Sequence, residues 1–168
     1  MPGSMTIRLI SRNDVEPLRS IEKNARGRYR SLSDFEKFAD TPPIAADRFA
    51  EGWTIVATQD EEPVGFAILQ KVDALAYLAN ISVALEASGQ RIGTSLMANV
   101  ERYAIGMGFS RMVLTTFKEP RWNGPWFRRL GFSPIPTEQI GPGLRTILQR
   151  HATFLDMSTR ETLWKSFM

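Results

Sequence analysis

The segment most informative about the fold is Ile81-Ser82-Val83, followed by Ser88-Gly89-Gln90-Arg91-Ile92-Gly93-Thr94-Ser95. The apolar run at residues 75–83 predicts a strand, and a helical pattern follows it with apolar residues at steps of three and four: Ile92, Leu96, Val100, Tyr103 and Met107. A strand therefore leads through a glycine-bearing turn into a helix. Such a turn presents free backbone N–H groups at the positive end of a helix dipole, which together form an anion site.

This stretch resembles the core motif of the GNAT family of acyl-CoA-dependent N-acyltransferases. That motif reads Gln/Arg-x-x-Gly-x-Gly/Ala at the start of a helix, after a strand that ends in a Leu-x-Val type of triplet. Residues 88–93 occupy the motif here, and residues 81–83 occupy the triplet. Two residues depart from the pattern. Ser88 occupies the position where the motif usually has Gln or Arg, and Arg91 occupies the position of its first Gly.

A second segment, Trp122-Asn123-Gly124-Pro125-Trp126-Phe127-Arg128-Arg129-Leu130-Gly131-Phe132, resembles the later motif of the same family. That motif has an Asn, then an aromatic residue, then a Leu-Gly-Phe ending. It follows a predicted strand at residues 111–117 at the expected distance. Two motifs in the right order make the resemblance specific, and it covers roughly residues 5–132.

The resemblance implies an α/β fold of the GNAT type, with three α/β/α layers and a mixed, mostly antiparallel central sheet that is splayed at the cofactor site. A length of 168 residues suits one domain. We therefore predict a single acyltransferase domain at residues 5–168, after a probable tag remnant at residues 1–4, Met1-Pro2-Gly3-Ser4.

Local patterns predict the remaining elements. Ser11-Arg12-Asn13-Asp14 is a helix start signal, and the helix after it has the apolar stripe Val15, Leu18, Ile21 and Ala25. Further helices are predicted at residues 32–38, 125–130 and 141–155, and a turn or two at residues 44–51. Further strands are predicted at residues 6–10, 53–58, 64–70 and 162–167, with turns at residues 59–63 and 71–73.

Composition excludes several kinds of site. The chain has no Cys, which excludes disulfides, thiolate metal sites and cysteine nucleophiles, and it has one His, His151. Its net charge of +3 is too small to indicate nucleic acid binding by itself. The basic cluster Arg26-Gly27-Arg28-Tyr29-Arg30 is interpreted as a solvated helix end, with an acidic partner as the alternative. No apolar run is long enough to span a membrane, and we expect a cytoplasmic enzyme.

The resemblance implies acetyl-CoA, or another acyl-CoA, as co-substrate and no metal. The N–H groups of residues 89–94 would face the pyrophosphate, and Arg91 could pair with a phosphate of CoA. Ile81 and Val83 would pair with the pantetheine amides, and the Val83 N–H would polarise the thioester carbonyl. Asn123 would contact the pantetheine arm, or would simply cap the helix that Pro125 begins. The full predicted cofactor set is Ile81, Ser82, Val83, Ser88, Gly89, Gln90, Arg91, Ile92, Gly93, Thr94, Ser95, Asn123 and Phe127.

The residues for proton transfer are missing from their usual places. The family's usual acid is a Tyr in the later motif, where this chain has Phe127, and the usual base is a carboxylate on the triplet strand, which here offers Ala79 and Asn80. The catalytic residues therefore stay unknown, with Tyr77 and Asn80 as weak candidates. Direct attack of the amine on the thioester, assisted by water, needs neither group.

We predict an N-acetyltransferase that acts on an amine of a small molecule or peptide. The alternative is a non-catalytic or regulatory acyl-CoA-binding protein on the same fold, favoured by the missing Tyr and carboxylate. A third reading, disfavoured, is a module that binds nucleic acid or acidic protein through the arginine-rich segment. No membrane partner is expected, and a homodimer contact through residues 133–136 and the last strand is left open.

Overall fold

The computed structural model describes residues 4–167 and has seven strands and five α-helices within that range. The strands are β1 Met5–Leu9, β2 Trp53–Gln59, β3 Glu62–Val72, β4 Leu75–Val83, β5 Arg111–Phe117, β6 Ser133–Pro134 and β7 Arg160–Ser166. The helices are α1 Val15–Ala25, α2 Glu36–Ala39, α3 Ile92–Gly106, α4 Gly124–Arg129 and α5 Pro142–His151. Short 3-10 turns connect them.

The strands form one sheet in the order β1-β2-β3-β4-β5-β7-β6. The pairs β1–β2, β2–β3, β5–β7 and β6–β7 are antiparallel, whereas β4 and β5 are parallel. The predicted mixed, mostly antiparallel sheet of an α/β fold is therefore confirmed.

Packing divides the chain into two compact units. The first contains residues 4–69 and Asn80–Arg102, so it holds β1, β2 and most of β3 together with the end of β4 and most of α3. Its core is built from the continuously buried residues 54–58 of β2 and 65–69 of β3 and from the apolar stripe of α1. The fully buried side chains of this unit include Leu18, Ile55, Phe66, Ile68, Leu96 and Met97.

The second unit contains Gln70–Ala79 and the chain from Tyr103 onward, with its core between the strands and α5. Tyr77, Val113, Ile135, Leu144 and Ile147 form a buried cluster there. Helix α5 begins at Pro142 because the Asp73 carboxylate accepts hydrogen bonds of 2.8 Å from the N–H groups of both Gly143 and Leu144. An anionic acceptor at a helix N-terminus satisfies two N–H groups that have no helical partner.

The pairing of β4 with β5 is short. Among the described residues it consists of Ala76 with Met112 and Tyr77 with Val113, although both strands continue. Residues 78–83 of β4 therefore lie beyond this parallel ladder. An interrupted ladder leaves main-chain groups available to bind another extended chain.

Most predicted strands agree with the structure, but several boundaries were wrong, among them the start of β3, which was predicted at residue 64 and lies at Glu62. The helix predicted at 32–38 is only Glu36–Ala39, and the turn predicted at 71–73 lies at Asp73 and Ala74, whose φ angles are +53° and +67°, because β3 continues to Val72. The helix predicted at 141–155 ends at His151, and the last strand begins at Arg160 rather than at residue 162. The two-residue strand β6 was missed, since so short an element leaves no pattern.

The predicted tag remnant lies largely outside the described residues, which begin at Ser4. The Ser4 carbonyl accepts a hydrogen bond of 3.0 Å from the Asp60 N–H beside β1. The single domain predicted for residues 5–168 stays a prediction. No helix within residues 4–167 is both long enough and apolar enough to cross a membrane.

Candidate functional site

The β4–α3 loop, defined here as residues 84–91, joins the triplet strand to the long helix in the first unit. It contains a 3-10 turn, Leu85–Ala87, and ends in two residues of left-handed conformation, Gly89 at φ +83° and Arg91 at φ +60°. The first hydrogen bond of α3 runs from the Ser95 N–H to the Arg91 carbonyl at 3.0 Å. The N–H groups of residues 92–94 precede that bond, so they are the orphan donors of the helix N-terminus.

At Arg91 the sequence departs from the motif, but the backbone has the left-handed conformation of the turn. The family pattern has Gly at this position, and a φ of +60° is the conformation that Gly adopts most easily. A residue with a Cβ adopts it at a cost of roughly 1–2 kcal/mol. The loop therefore retains the left-handed turn and gains an exposed guanidinium.

Three contacts from distant segments of the first unit support the loop. Arg28 Nη2 donates to Ser88 Oγ at 3.2 Å, Gln59 Nε2 donates to Gln90 Oε1 at 2.7 Å, and the Leu85 N–H donates to Asn24 Oδ1 at 2.8 Å. These contacts could not be predicted from sequence patterns, because each joins residues at least 31 positions apart. The side chains of Ser88 and Gln90, both in the predicted cofactor set, thus have protein partners.

The triplet is held closely against β3. A Cβ added to Gly65 would lie 2.9 Å from the Ser82 carbonyl oxygen and 3.3 Å from a methyl group of Val83, which only glycine avoids. The Ala84 N–H donates to the Val64 carbonyl at 2.9 Å just after the triplet. Ile81, Ser82 and Val83 are all partly exposed at this point of the strand.

Asn80, a weak catalytic candidate, precedes the triplet on β4. Its Oδ1 accepts a hydrogen bond of 2.7 Å from Ser82 Oγ, as expected for residues two apart on one strand face. This leaves the Asn80 amide nitrogen as the group that could hold a water. A catalytic role for Asn80 stays a prediction.

The remaining predicted residues lie in the second unit. Tyr77, the other weak candidate, is 6% exposed and lies within the apolar cluster around Val113 and Leu144. Phe127 is 5% exposed and packs against Trp126 and Phe132 with ring centroids 4.9 and 5.8 Å apart. Both positions are built for packing, and their proposed roles at a site stay predictions.

Asn123 occupies the N-cap position of α4, and its carbonyl accepts from the Phe127 N–H at 3.1 Å. Its side chain makes no capping hydrogen bond, so the alternative that the Asn side chain is there to cap the helix is not supported. The next residue, Gly124, is buried against main-chain oxygens, since an added Cβ would lie 2.8 Å from the Lys118 carbonyl.

The interpretation of residues 26–30 as a solvated helix end was wrong for Arg26 and Tyr29. Both are 7% exposed, within a 3-10 turn at Arg26–Ser31, which we call the 26–31 turn. Arg26 Nε lies 2.6 Å from Glu22 Oε2 as an ion pair outside hydrogen-bond geometry, and its Nη2 donates to Glu22 Oε1 at 3.1 Å. A buried arginine is tolerated because an acid four residues earlier, in the last turn of α1, faces it.

This ion pair belongs to a clamp in which α1 holds residues 38–44. Arg26 donates to the carbonyls of Phe38 and Pro42 at 3.1 and 2.7 Å, and Glu22 accepts from the Ile44 N–H at 2.8 Å. Lys23 and Arg19 add hydrogen bonds to three more carbonyls, those of Ala39, Thr41 and Ile44. Side chains therefore replace secondary structure as partners for this irregular segment. Both carboxylate oxygens of Glu22 have partners in the clamp. Glu22 is therefore not available as the general base that would deprotonate an amine substrate.

Other charges of the first unit are structural or open to solvent. Arg8 donates two hydrogen bonds to the Asp14 carboxylate, at 2.7 and 3.0 Å, and they lower the pKa of Asp14 to about 2.

An open depression of about 330 Å³ is lined by Glu16, Arg19, Ser20, Lys23, Asn24 and Pro43. Within residues 4–167, His, Asp and Glu side chains form no group of three that could hold a metal ion.

A family model matches residues 16–132, and its description is the acetyltransferase (GNAT) family. The chain belongs to this family. The predicted recognition and enzyme class, an acyl-CoA-dependent acetyltransferase, are therefore confirmed.

Solved structures agree with the fold of a GNAT protein. The PaiA N-acetyltransferase from Thermoplasma acidophilum, in complex with coenzyme A, is similar with a TM-score of 0.71 and 16% identity, over 98% of this chain and 99% of that one. The ribosomal-protein-S18-alanine N-acetyltransferase from Escherichia coli has a TM-score of 0.69 and 17% identity, over 97% and 94%. N-acetylglutamate synthase from Neisseria gonorrhoeae, complexed with coenzyme A and N-acetyl-glutamate, has a TM-score of 0.72 and 17% identity, over 100% and 36%.

Proposed function

We propose that this GNAT protein transfers an acetyl group from acetyl-CoA to an amine of a small molecule or peptide. The observation that carries the proposal is the β4–α3 loop, in which two left-handed residues precede a helix whose first N–H groups have no helical acceptor. Such a turn suits a pyrophosphate. Two of the similar proteins, PaiA N-acetyltransferase and N-acetylglutamate synthase, form complexes with coenzyme A.

Three parts of this GNAT chain would hold the co-substrate. The N–H groups of residues 89–94 would bind the pyrophosphate, with the Thr94 and Ser95 hydroxyls beside them. The main chain at Ile81 and Val83 would pair with the pantetheine amides, since the β4–β5 ladder ends before these residues. Asn123 is assigned to the pantetheine arm by its place in the later motif.

Bound acetyl-CoA supplies a thioester: the amine nitrogen forms a bond to its carbonyl carbon, the C–S bond breaks, and CoA leaves as the thiolate while the nitrogen loses a proton. In this chain the Val83 N–H would donate to the carbonyl oxygen as negative charge develops there. Phe127 has no proton to give to the thiolate. We therefore propose direct attack with water as the proton carrier.

The second candidate function is acyl-CoA binding without turnover, on the same site. It is favoured by one observation, the buried Phe127 that packs against Phe132 where the family has its acid. A binding protein needs the pyrophosphate turn but no proton donor. The two candidates therefore differ in turnover and not in affinity for CoA.

A thiol-release assay distinguishes them. Acetyl-CoA is mixed with the protein and a panel of amines that includes polyamines, amino acids and peptides with free N-termini, and CoA thiol is measured against time and pH. The transferase predicts thiol release that depends on one class of amine and rises with pH as that amine loses its proton. Binding of acetyl-CoA without release on every amine would favour the second candidate.

The Phe127→Tyr variant tests direct attack in the same assay. If position 127 faces the leaving thiolate, a Tyr hydroxyl there adds an acid, and the rate rises by about tenfold or more. Phe132→Tyr, a matched change in the same aromatic cluster, is the control. An unchanged rate at every pH would remove residue 127 from the site.

A further inference from the structure

The 26–31 turn contacts the β4–α3 loop at its centre. Arg28 Nη2 donates to Ser88 Oγ at 3.2 Å, across 60 residues of sequence. The same two segments also meet at Leu85, whose side chain would lie 3.5 Å from a Cβ at Gly27. The Leu85 N–H donates to Asn24, in the last turn of α1. This exposed contact places a guanidinium at Ser88, the first residue of the motif.

We propose that Arg28 is a phosphate-binding residue of the acyl-CoA site, supplied by the 26–31 turn. The inference rests on the function proposed above. Ser88 departs from the motif, which has Gln or Arg at its first position, and Arg28 places a guanidinium beside that residue. The chain thereby obtains from a distant segment the cation that its own loop lacks at position 88.

The chemistry favours a phosphate over the Ser88 hydroxyl as an acceptor for Arg28. A guanidinium makes charge-assisted, often bidentate hydrogen bonds to phosphate oxygens, which are about twice as strong as bonds between neutral groups. The Ser88 hydroxyl is neutral and offers Arg28 a single acceptor at 3.2 Å. Within residues 84–91 the charges of Arg91 and Glu86 cancel. Arg28 therefore adds the positive charge that the loop itself lacks where a dianion would bind.

Calorimetric titration with CoA and with dephospho-CoA tests the assignment. The proteins are the wild type, Arg28→Ala and Arg30→Ala. Arg30 is the matched control, because it belongs to the same turn but pairs at 2.7 Å with the exposed Asp40. We expect Arg28→Ala to weaken CoA binding by about tenfold or more, and Arg30→Ala to change it by less than about twofold.

The two ligands identify which phosphate Arg28 binds. A loss that is seen with CoA and disappears with dephospho-CoA assigns Arg28 to the 3′-phosphate, whereas an equal loss with both ligands assigns it to the pyrophosphate. Either result supports the proposal. Thermal unfolding of each variant checks the fold, and if Arg28→Ala does not fold, Arg28→Gln is measured in its place against the same expectation.

Two results would overturn the proposal. One is wild-type affinity in the Arg28 variant, and the other is an equal loss in the Arg28 and Arg30 variants, which would indicate a general charge effect. A wild-type protein that binds neither ligand would instead contradict the proposed function and remove the inference with it. The failures are therefore distinguishable.

Discussion

Among single residues, Arg91 has the left-handed backbone that the family motif usually assigns to Gly. Substitutions at this position therefore test whether the turn has that conformation. Its φ of +60° disfavours every residue with a Cβ. We expect Arg91→Gly to unfold with a free energy about 1 kcal/mol higher than Arg91→Ala, which reverses the usual advantage of Ala over Gly. Urea unfolding measures the difference, and both variants lack the charge, so the comparison isolates the backbone. An Ala variant as stable as the Gly variant would contradict the left-handed assignment.

The lowered pKa of Asp14 predicts that the free energy of unfolding depends on pH. This pKa is lowered to about 2 by the hydrogen bonds from Arg8. Because the folded pKa lies below the unfolded value of about 3.9, the stabilisation is present above pH 4 and is lost as pH falls toward 2. Asp14→Asn should cost roughly 1–2 kcal/mol at pH 7, since Arg8 is partly solvated.

Urea unfolding at pH 7, 4 and 2.5 checks this expectation. The difference between the wild type and Asp14→Asn should shrink at the lowest pH, while the exposed control Asp34→Asn should change little at pH 7. A cost that is the same at pH 7 and pH 2.5 would show that the amide disturbs packing rather than an ion pair.

At the scale of elements, the clamp between α1 and residues 38–44 is the contact to test. Arg26→Met would leave Glu22 buried without its cation and the Phe38 and Pro42 carbonyls without a donor. We expect a loss of about 3 kcal/mol in the free energy of unfolding. Glu22→Leu should cost a similar amount, and the double variant should cost less than the sum of the two.

A double-mutant cycle in urea measures this coupling, which should exceed about 1 kcal/mol for groups in one network. The pair Arg48→Met and Glu51→Leu is the control, because that ion pair is 3.4 Å long and exposed on both sides. Additive costs at Glu22 and Arg26 would contradict the clamp.

Elements with a repeating pattern could be predicted from the sequence, and elements held by single contacts could not. The β4 strand and the start of α3 have long apolar periodicities, and both begin at the predicted residue. The 26–31 turn has the composition of a solvent-exposed segment, because the sequence does not reveal that Glu22 faces Arg26 inside the fold. The end of α5 at His151 has no Gly or Pro to mark it.

For the molecule as a whole, the motifs predicted the family and the fold, and they located the left-handed turn that precedes α3. The motifs could not predict that Arg28 contacts Ser88, because the two residues are 60 positions apart in the sequence. The motifs also identified neither a general acid nor a general base, because Phe127 stands where the family has its Tyr, and Ala79 and Asn80 stand where it has its carboxylate. The acceptor amine depends on side chains outside the two motifs, and the chain has no pattern that names it.

Calorimetric titration of the wild type and Gly93→Glu with acetyl-CoA is the decisive test of whether the N–H groups of residues 89–94 bind the pyrophosphate. A carboxylate in the first turn of α3 favours the helix but repels a phosphate, so the variant should fold and lose binding. Gly93→Ala, which the motif allows, and Ala98→Glu, an exposed change later in α3, should bind as the wild type does. Retained affinity for acetyl-CoA in a folded Gly93→Glu protein would contradict the assignment of this turn to the pyrophosphate.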